Sequence, residues 1–261
     1  MARARKVPPT RYPMKLEDWY LKTLQGFIKQ WKKDAEYYLK FFIFPYIRGG
    51  GSTFKLDDDE DMLDRILYGM KQMDYAIENA QSDRVLELKI EQYVKAVDKF
   101  SYNNSLLQTK IIGLNPIEKN SKLDNYFKTK VSENVQLIKN FRDDYAKQLE
   151  QEIYQSITEG GGVSRITESL TKRTDMAVKR AKLIANDQTG TIISQVNAYR
   201  AKSAGAEKYR WQSMEDARVR PKHRELNGKV FKYGDPHGGD DGRLPGEPIR
   251  CRCVADPIFE D

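Results

Sequence analysis

The sequence predicts an α+β fold, with a predominantly helical N-terminal region followed by a helical segment and a small C-terminal lobe that contains a β-hairpin. Two observations support this prediction. Apolar residues recur at three- and four-residue steps from Tyr20 to Tyr199, as is typical of amphipathic helices. Beyond Gly205 this period disappears, and aromatic runs alternate with Gly-, Asp- and Pro-rich stretches that favour strands and turns.

The composition is that of a folded, basic protein. Its 261 residues are enough for one large or two modest domains. The 45 Lys and Arg residues exceed the 38 Asp and Glu residues, and the net charge of +7 favours proximity to a polyanion. We expect no secretory signal, and the most apolar window, 38–47, is too short to span a membrane. The two cysteines are one residue apart, where a bridge would be strained, so we expect a reducing compartment.

The N-terminal region, residues 1–112, is predicted to consist of helices. It begins with a basic, proline-punctuated tail, 1–13, which we expect to be mobile. An aromatic-rich helical stripe then runs until Pro45 interrupts it, and this stripe faces either the core or a partner. A glycine-rich linker is predicted near 48–55.

Further helices are predicted on both sides of the boundary at residue 112. One, about 58–80, opens with the acids Asp57 and Glu60, and the next, 85–100, ends at the loop-like sequence SYNNS. The sequence IIGLNP then predicts a turn, after which a second domain, 113–261, begins.

The helical segment of the second domain is predicted to be broken twice. The sequence EGGGVS ends one helix and leaves Ser164 to cap the next, and Thr174 is predicted to cap another helix that ends at Gly205. The polar residues 186–189 favour a hydrogen-bonding face rather than a site.

The C-terminal lobe is predicted to contain strands. The sequence EKYRWQS is typical of a strand, and the pair Asn227-Gly228 between apolar residues predicts a hairpin. A loop over 234–246 then leads to a last strand, IRCRCVAD, on which Cys251 and Cys253 point to the same side.

This lobe also holds every cysteine and histidine of the chain. They are His223, His237, Cys251 and Cys253. One interpretation is a zinc site in which His223 and both cysteines supply three ligands and either Asp216 or His237 supplies the fourth.

Two other interpretations of these residues remain open. In a hydrogen-bonded polar core, Asp216 accepts from Arg220 or His223, Arg252 pairs with an acid, and the two thiols pack as small apolar groups. In a catalytic site, a Cys-His nucleophile requires a third group to orient the imidazole and a pocket for substrate.

Three stretches of this half of the chain resemble a known family. They are RAKLIANDQTGTIISQVNAYRAKSAG, YRWQSMEDARVRPKHRELNGKVF and PIRCRC, and they resemble the C-terminal domain of phage Mu F-like minor head proteins, also called phage head morphogenesis proteins. The resemblance covers about residues 113–257. Its specific part is an ordered set of residues: Asp216, Arg218, Arg220, His223, Gly228, Pro245, Cys251, Arg252 and Cys253.

The resemblance implies a minor capsid protein of a tailed bacteriophage, without catalytic activity. Such a protein is assembled in the bacterial cytoplasm and resides in the virion head. It binds the portal, capsid or scaffolding protein at the portal vertex or inner capsid, and acts in head assembly and in DNA packaging or release. In similar proteins a cysteine can stand at the position of His223, which favours a ligand role for this residue.

Two alternative functions are kept. One is an enzyme or toxin-like module that uses the His/Cys site. The other is a packaging factor that binds double-stranded DNA without sequence preference, through RARK at the start of the chain and a basic group. That group comprises Lys172, Arg173, Lys179, Arg180 and Lys182. No phosphate-binding loop of the form GxxxxGK[ST] is present.

Overall fold

The computed structural model describes residues 4–47 and 60–260, and it confirms the α+β class. The described elements in chain order are β1 (Ala4–Arg5), α1 (Met14–Tyr38), α2 (Glu60–Glu78), α3 (Asp83–Thr109), α4 (Ser121–Thr158), α5 (Gly162–Ser203), β2 (Lys208–Gln212), α6 (Pro221–Leu226), β3 (Val230–Lys232) and β4 (Val254–Glu260). The end of α1 continues as a π-helical turn, Leu39–Ile43, and a 3-10 turn, Phe44–Tyr46. The predicted linker near 48–55 and the acid Asp57 lie outside the described residues.

The strands form one antiparallel sheet in the order β1-β4-β2-β3. In the central pair, β2 and β4, Lys208 lies opposite Ile258 and Gln212 lies opposite Val254. The first strand pairs with the last, with Arg5 opposite Phe259.

The chain divides into two compact units whose segments alternate along the sequence. The first comprises Met1–Leu21, Lys89–Glu133 and Leu183–Asp261, and the second comprises Lys22–Leu88 and Asn134–Lys182. The predicted domain boundary at residue 112 stays a prediction.

The first unit contains the sheet and a stacked aromatic pair. The rings of Tyr20 and Tyr93 lie 4.1 Å apart, and the hydroxyl of Tyr93 is 2.6 Å from that of Thr189. A second apolar cluster, around Trp211, includes both cysteines. The sheet and α5 therefore provide the buried setting of the cysteine-containing segment.

The second unit packs around Trp31. This side chain is fully buried, lies edge-on to Phe141 at 5.3 Å, and donates its indole N–H to Gln81 at 2.7 Å. Trp31 belongs to the aromatic stripe of α1, so at this position the stripe faces the core.

The tail was predicted to be mobile, and for its described residues, 4–13, this prediction is wrong. Residues Ala4 and Arg5 pair with β4, and Thr10 donates its hydroxyl to the carbonyl of Ala255 and its amide to Asp256. Tyr12 is buried. The prediction followed from basic charge and proline content alone, which carry no information about the strand edge that the tail covers.

Two predicted helix breaks are also wrong. The SYNNS sequence lies inside α3, where Ser101 is fully buried and donates to Asn197. Helix α5 is continuous through Thr174, whose hydroxyl donates to the carbonyl of Leu170 four residues earlier. Ser164 likewise lies inside α5 rather than at its start.

The predicted end of the long helix at Gly205 is confirmed. At the end of α5, Gly205 adopts a φ of +94°, and the amide of Ala206 donates to the carbonyl of Ala201. The Asn227-Gly228 pair, in contrast, does not connect two strands, because α6 ends immediately before it. It leads from α6 into β3, so the predicted hairpin is replaced by a helix-to-strand turn.

None of the helices within the described residues is both long and apolar enough to cross a membrane.

Candidate metal centre

His223 is held by a short helix. Helix α6 starts at Pro221, whose fixed φ suits the first helical position, and the preceding Arg220 is extended. The imidazole is 3% exposed and lies edge-on to Trp211, with ring centroids 5.1 Å apart.

The two cysteines lie in the segment that enters β4. A turn precedes them, in which the amide of Cys251 donates to the carbonyl of Pro248. The amide of Arg250, a residue with a φ of +59°, donates to Asp187 of α5 at 2.6 Å. Asp187 belongs to the polar cluster 186–189, and its role here is to hold the turn that presents the cysteines.

Gly190 allows α5 to approach this segment closely. A Cβ atom at this position would lie 2.5 Å from the carbonyl oxygen of Gly246 and 2.9 Å from that of Cys251. Both neighbours are backbone atoms, so they cannot move aside as a side chain could.

The structure brings three of the predicted ligands together. The Nδ1 atom of His223 is 3.4 Å from the sulfur of Cys251 and 3.6 Å from that of Cys253. All three residues are buried, and their ligand atoms lie within 4.8 Å of one another. The predicted common direction of the two cysteines is therefore observed, although both precede β4 rather than lie within it.

A carboxylate orients the imidazole from its other side. Nε2 of His223 is 3.2 Å from Oδ2 of Asp240, and Lys222 lies 2.5 Å from Oδ1 of the same carboxylate. Burial opposes ionisation of Asp240, yet the hydrogen bonds from Lys222 and His223 together lower its pKa. The carboxylate thus favours the tautomer with a proton on Nε2, which leaves Nδ1 free to face the sulfurs.

The sulfur atoms receive several N–H groups. Cys251 accepts from the amide of Gly246 at 3.4 Å and from that of Cys253. The amide of Met214 and the indole of Trp211 act to lower the pKa of Cys253, although the neighbouring thiol and burial raise it overall. The indole nitrogen of Trp211 is buried and has no hydrogen-bond partner among the described residues. Such donors stabilise negative charge on sulfur.

The two thiols also interact with each other. The hydrogen bond with Cys253 lowers the pKa of Cys251 to about 6, while the same bond raises the pKa of Cys253. The opposite directions of the two shifts reflect the repulsion between two neighbouring buried negative charges.

Asp216 does not join this group. Its Oδ2 lies 2.5 Å from Arg252, and its Oδ1 accepts from the amide of Arg218 at 3.0 Å. The hydrogen bond from Arg252 lowers the pKa of Asp216, with the backbone amide of Arg218 acting in the same direction. The carboxylate fixes the chain before α6 to the chain before β4.

His237 also lies outside the group. It is exposed, and its backbone amide donates to Asp235. Two other residues of the ordered set have structural positions: the amide of Gly228, at a φ of +79°, donates to the carbonyl of Trp211, and Pro245 is buried. The family roles implied for the ordered set of residues remain predictions.

A cavity of about 10 Å³ adjoins the three ligand atoms. The cluster residues line it together with Arg220, Arg250 and Arg252. A cavity of this volume accommodates about one water molecule.

The comparisons with known proteins match part of the chain to one family. The family described as Phage Mu protein F like protein matches residues 147–256. This part of the chain is similar to that family. The matched range holds α5, the sheet strands β2 and β3, and the whole His/Cys cluster.

One relative matches the whole of this chain, including the N-terminal helices. A curated protein of Haemophilus influenzae, itself described as uncharacterized, is 27% identical over 268 residues, covering all of this chain and 57% of the relative. The chain therefore spans little more than half the length of that relative. No solved structure matches the chain.

Sequence reasoning on the Mu F-like segment missed Asp240 and Trp211. Asp240 lies in the loop 234–246, where glycine and proline content predicts irregular structure but not which acid turns inward. The carboxylate of Asp240, rather than that of Asp216, lies against the imidazole of His223. Trp211 was assigned to a strand, and only the folded structure shows that its ring packs edge-on to this imidazole.

Proposed function

We propose that the protein is a minor head protein of a tailed bacteriophage, bound to the portal vertex or inner capsid during head assembly and DNA packaging or release. The observation that carries this proposal is the Mu F-like match over residues 147–256. The proposed partners are the portal, capsid or scaffolding protein, and the proposed location is the virion head after assembly in the host cytoplasm.

The role we propose is structural rather than catalytic. The line from Asp240 through His223 to Cys251 has the order of a carboxylate, an imidazole and a thiol, which favours the alternative of an enzyme or toxin-like module. Two features argue against it. The imidazole and both sulfurs are almost fully buried, and the adjoining cavity has room for about one water rather than a substrate.

The alternative of a DNA-binding packaging factor has weaker support. The net charge of +7 favours DNA proximity. Within the basic group, however, Arg173 pairs with Glu152 in a partly buried position and Arg180 pairs with Asp144 at the surface, so both cations already have a carboxylate partner in the chain.

Recovery of the chain with head particles tests the proposal. The gene product carrying an affinity tag is expressed during phage assembly, and proheads and portal rings are purified by sedimentation. We expect the chain in both fractions, and in proheads at a stoichiometry set by the portal ring. Absence from both fractions would overturn the proposed function.

A matched pair of variants separates the structural role from the enzymatic one. Cys251→Ala with Cys253→Ala removes the thiols, whereas His237→Ala changes an exposed histidine outside the cluster. We expect the first variant to lose the folded lobe and head incorporation together, and the second to retain both. A folded double variant that enters heads but loses a reaction of the wild-type chain would support the enzyme instead.

A further inference from the structure

We propose that His223, Cys251 and Cys253 bind one zinc ion, and that the fourth ligand is a water molecule or hydroxide in the adjoining cavity. This inference concerns the site alone and does not depend on the proposed function in phage heads.

The nitrogen–sulfur distances are those of a tetrahedral shell. With zinc about 2.0–2.1 Å from nitrogen and about 2.3 Å from sulfur, a tetrahedral angle places nitrogen and sulfur about 3.5 Å apart. The observed separations from Nδ1 of His223 are 3.4 Å and 3.6 Å, and all three ligand atoms lie within 4.8 Å of one another.

The surroundings of the sulfurs favour a thiophilic cation. Both thiols are 3% exposed or less, and the amide of Gly246 donates to the sulfur of Cys251. A buried pair of sulfurs accommodates two thiolates only if a cation compensates their charge. Sulfur and imidazole ligands select zinc over magnesium or calcium, which prefer oxygen.

Asp240 contacts the ring nitrogen of His223 that faces away from the cysteines. Metal-bound imidazoles donate their second N–H to a carboxylate, which fixes the ring orientation and raises the basicity of the ligating nitrogen. Here Nε2 faces Asp240 at 3.2 Å while Nδ1 faces the sulfurs.

The fourth position points to solvent rather than to a side chain. Asp216 is engaged by Arg252 at 2.5 Å, and His237 is exposed. The cavity that adjoins the three ligand atoms has a volume of about 10 Å³, which is room for one water. Arginines 220, 250 and 252 line the same cavity and favour a ligand with negative charge, such as hydroxide.

Metal content of the full chain is the first test. The protein is purified without chelators, and its zinc is measured by plasma mass spectrometry alongside its native mass. We expect one zinc per chain, retained on dialysis and released by a chelator. Zinc-free protein that is folded by circular dichroism and takes up no added zinc would overturn the proposal, as would stoichiometric binding of a different metal.

Cobalt replacement tests the ligand set. Tetrahedral Co²⁺ bound by two thiolates gives intense d–d absorption and near-ultraviolet thiolate charge transfer. In Cys253→Ser the charge-transfer intensity should fall to about half, since one of two thiolates is lost. Unchanged intensity in that variant would exclude Cys253 as a ligand and overturn the proposal. If the variant does not fold, the charge-transfer intensity per cobalt in the wild-type chain decides between two thiolates and fewer.

The fourth ligand is tested with azide and one control variant. Azide should shift the d–d spectrum of the cobalt-loaded chain, because it replaces solvent, whereas His237→Ala should leave the spectrum unchanged. A spectrum that does not respond to azide would exclude a solvent ligand, and a spectrum that also changes in His237→Ala would assign the fourth position to His237. Failure of this arm leaves the head protein proposal untouched, since incorporation into proheads is measured separately.

Discussion

At the scale of single residues, Asp240 has the clearest role in the Mu F-like lobe. It is buried at 8% exposure and contacts both His223 and Lys222. We expect Asp240→Ala to lower the free energy of unfolding by about 1–3 kcal/mol, because the imidazole loses its buried partner. On the zinc site proposed above, the same change should weaken zinc binding about 10- to 100-fold. Urea denaturation and competition with a zinc indicator measure the two effects.

Asp241 supplies the control for this prediction. It neighbours Asp240 and contacts the same Lys222 at 2.7 Å, yet it is exposed and does not contact His223. Asp241→Ala should therefore change stability and zinc affinity little. Equal effects of the two variants would show that Lys222, not the imidazole, is the partner that matters.

Asp216 links this lobe to the pH dependence of stability. Its pKa is lowered by Arg252, so the carboxylate contributes stability above its unfolded pKa, and this contribution is lost as pH falls through the folded pKa. We expect Asp216→Asn to weaken the protein at neutral pH and to flatten the acid side of its stability profile below about pH 4. Urea midpoints measured across the acid range check this. A variant profile parallel to that of the wild type would contradict the prediction.

At the scale of elements, α5 approaches the cysteine segment closely at Gly190. Gly190→Ala would place a Cβ atom 2.5 Å from the carbonyl oxygen of Gly246. We expect the helix and the segment to separate, with a loss of about 1–3 kcal/mol in the free energy of unfolding. Thermal and urea denaturation measure the loss, and the absorption of the cobalt-loaded chain reports on the displaced cysteines.

Gly26 in α1 is the matched control, because a Cβ atom there meets nothing within 4 Å. Gly26→Ala should stabilise the chain by about 0.5–1 kcal/mol, as alanine is favoured over glycine in a helix interior. Destabilisation by both substitutions to a similar extent would argue that helix glycines matter here for a reason other than close approach.

The same elements show what the sequence can predict and what it cannot. Helices with long apolar periods, such as 85–100 in α3, were predictable because their burial pattern repeats along the chain. The interruptions were not, since Ser101 and Thr174 carry the polar side chains of loops and caps but satisfy them inside the folded structure. The candidate site was likewise predictable only in part. His223 and the two cysteines could be identified from their residue types, whereas the position of Asp240 depends on a loop conformation that its spacing in the sequence does not reveal.

At the scale of the whole molecule, the first described residues complete the sheet formed by the last. Arg5 lies opposite Phe259, and Thr10 bonds to the backbone of Ala255 and the side chain of Asp256. The Mu F-like match starts at residue 147, yet its final strand is covered by a segment from the other end of the chain. Contacts so distant in sequence carry a cost in chain entropy.

Deletion of this covering segment measures its contribution to stability. Deletion of residues 1–12 removes the pairing of β1 with β4, the hydrogen bonds of Thr10 and the buried ring of Tyr12. We expect the free energy of unfolding to fall by about 3 kcal/mol or more, because an aromatic core residue and several buried hydrogen bonds are lost together. Deletion of residues 1–3 keeps the pairing of β1, the hydrogen bonds of Thr10 and the ring of Tyr12, and it serves as the control. Coincident midpoints for the two deletions would mean that the tail contributes no stability, and that the lobe folds from the Mu F-like segment and the helices alone.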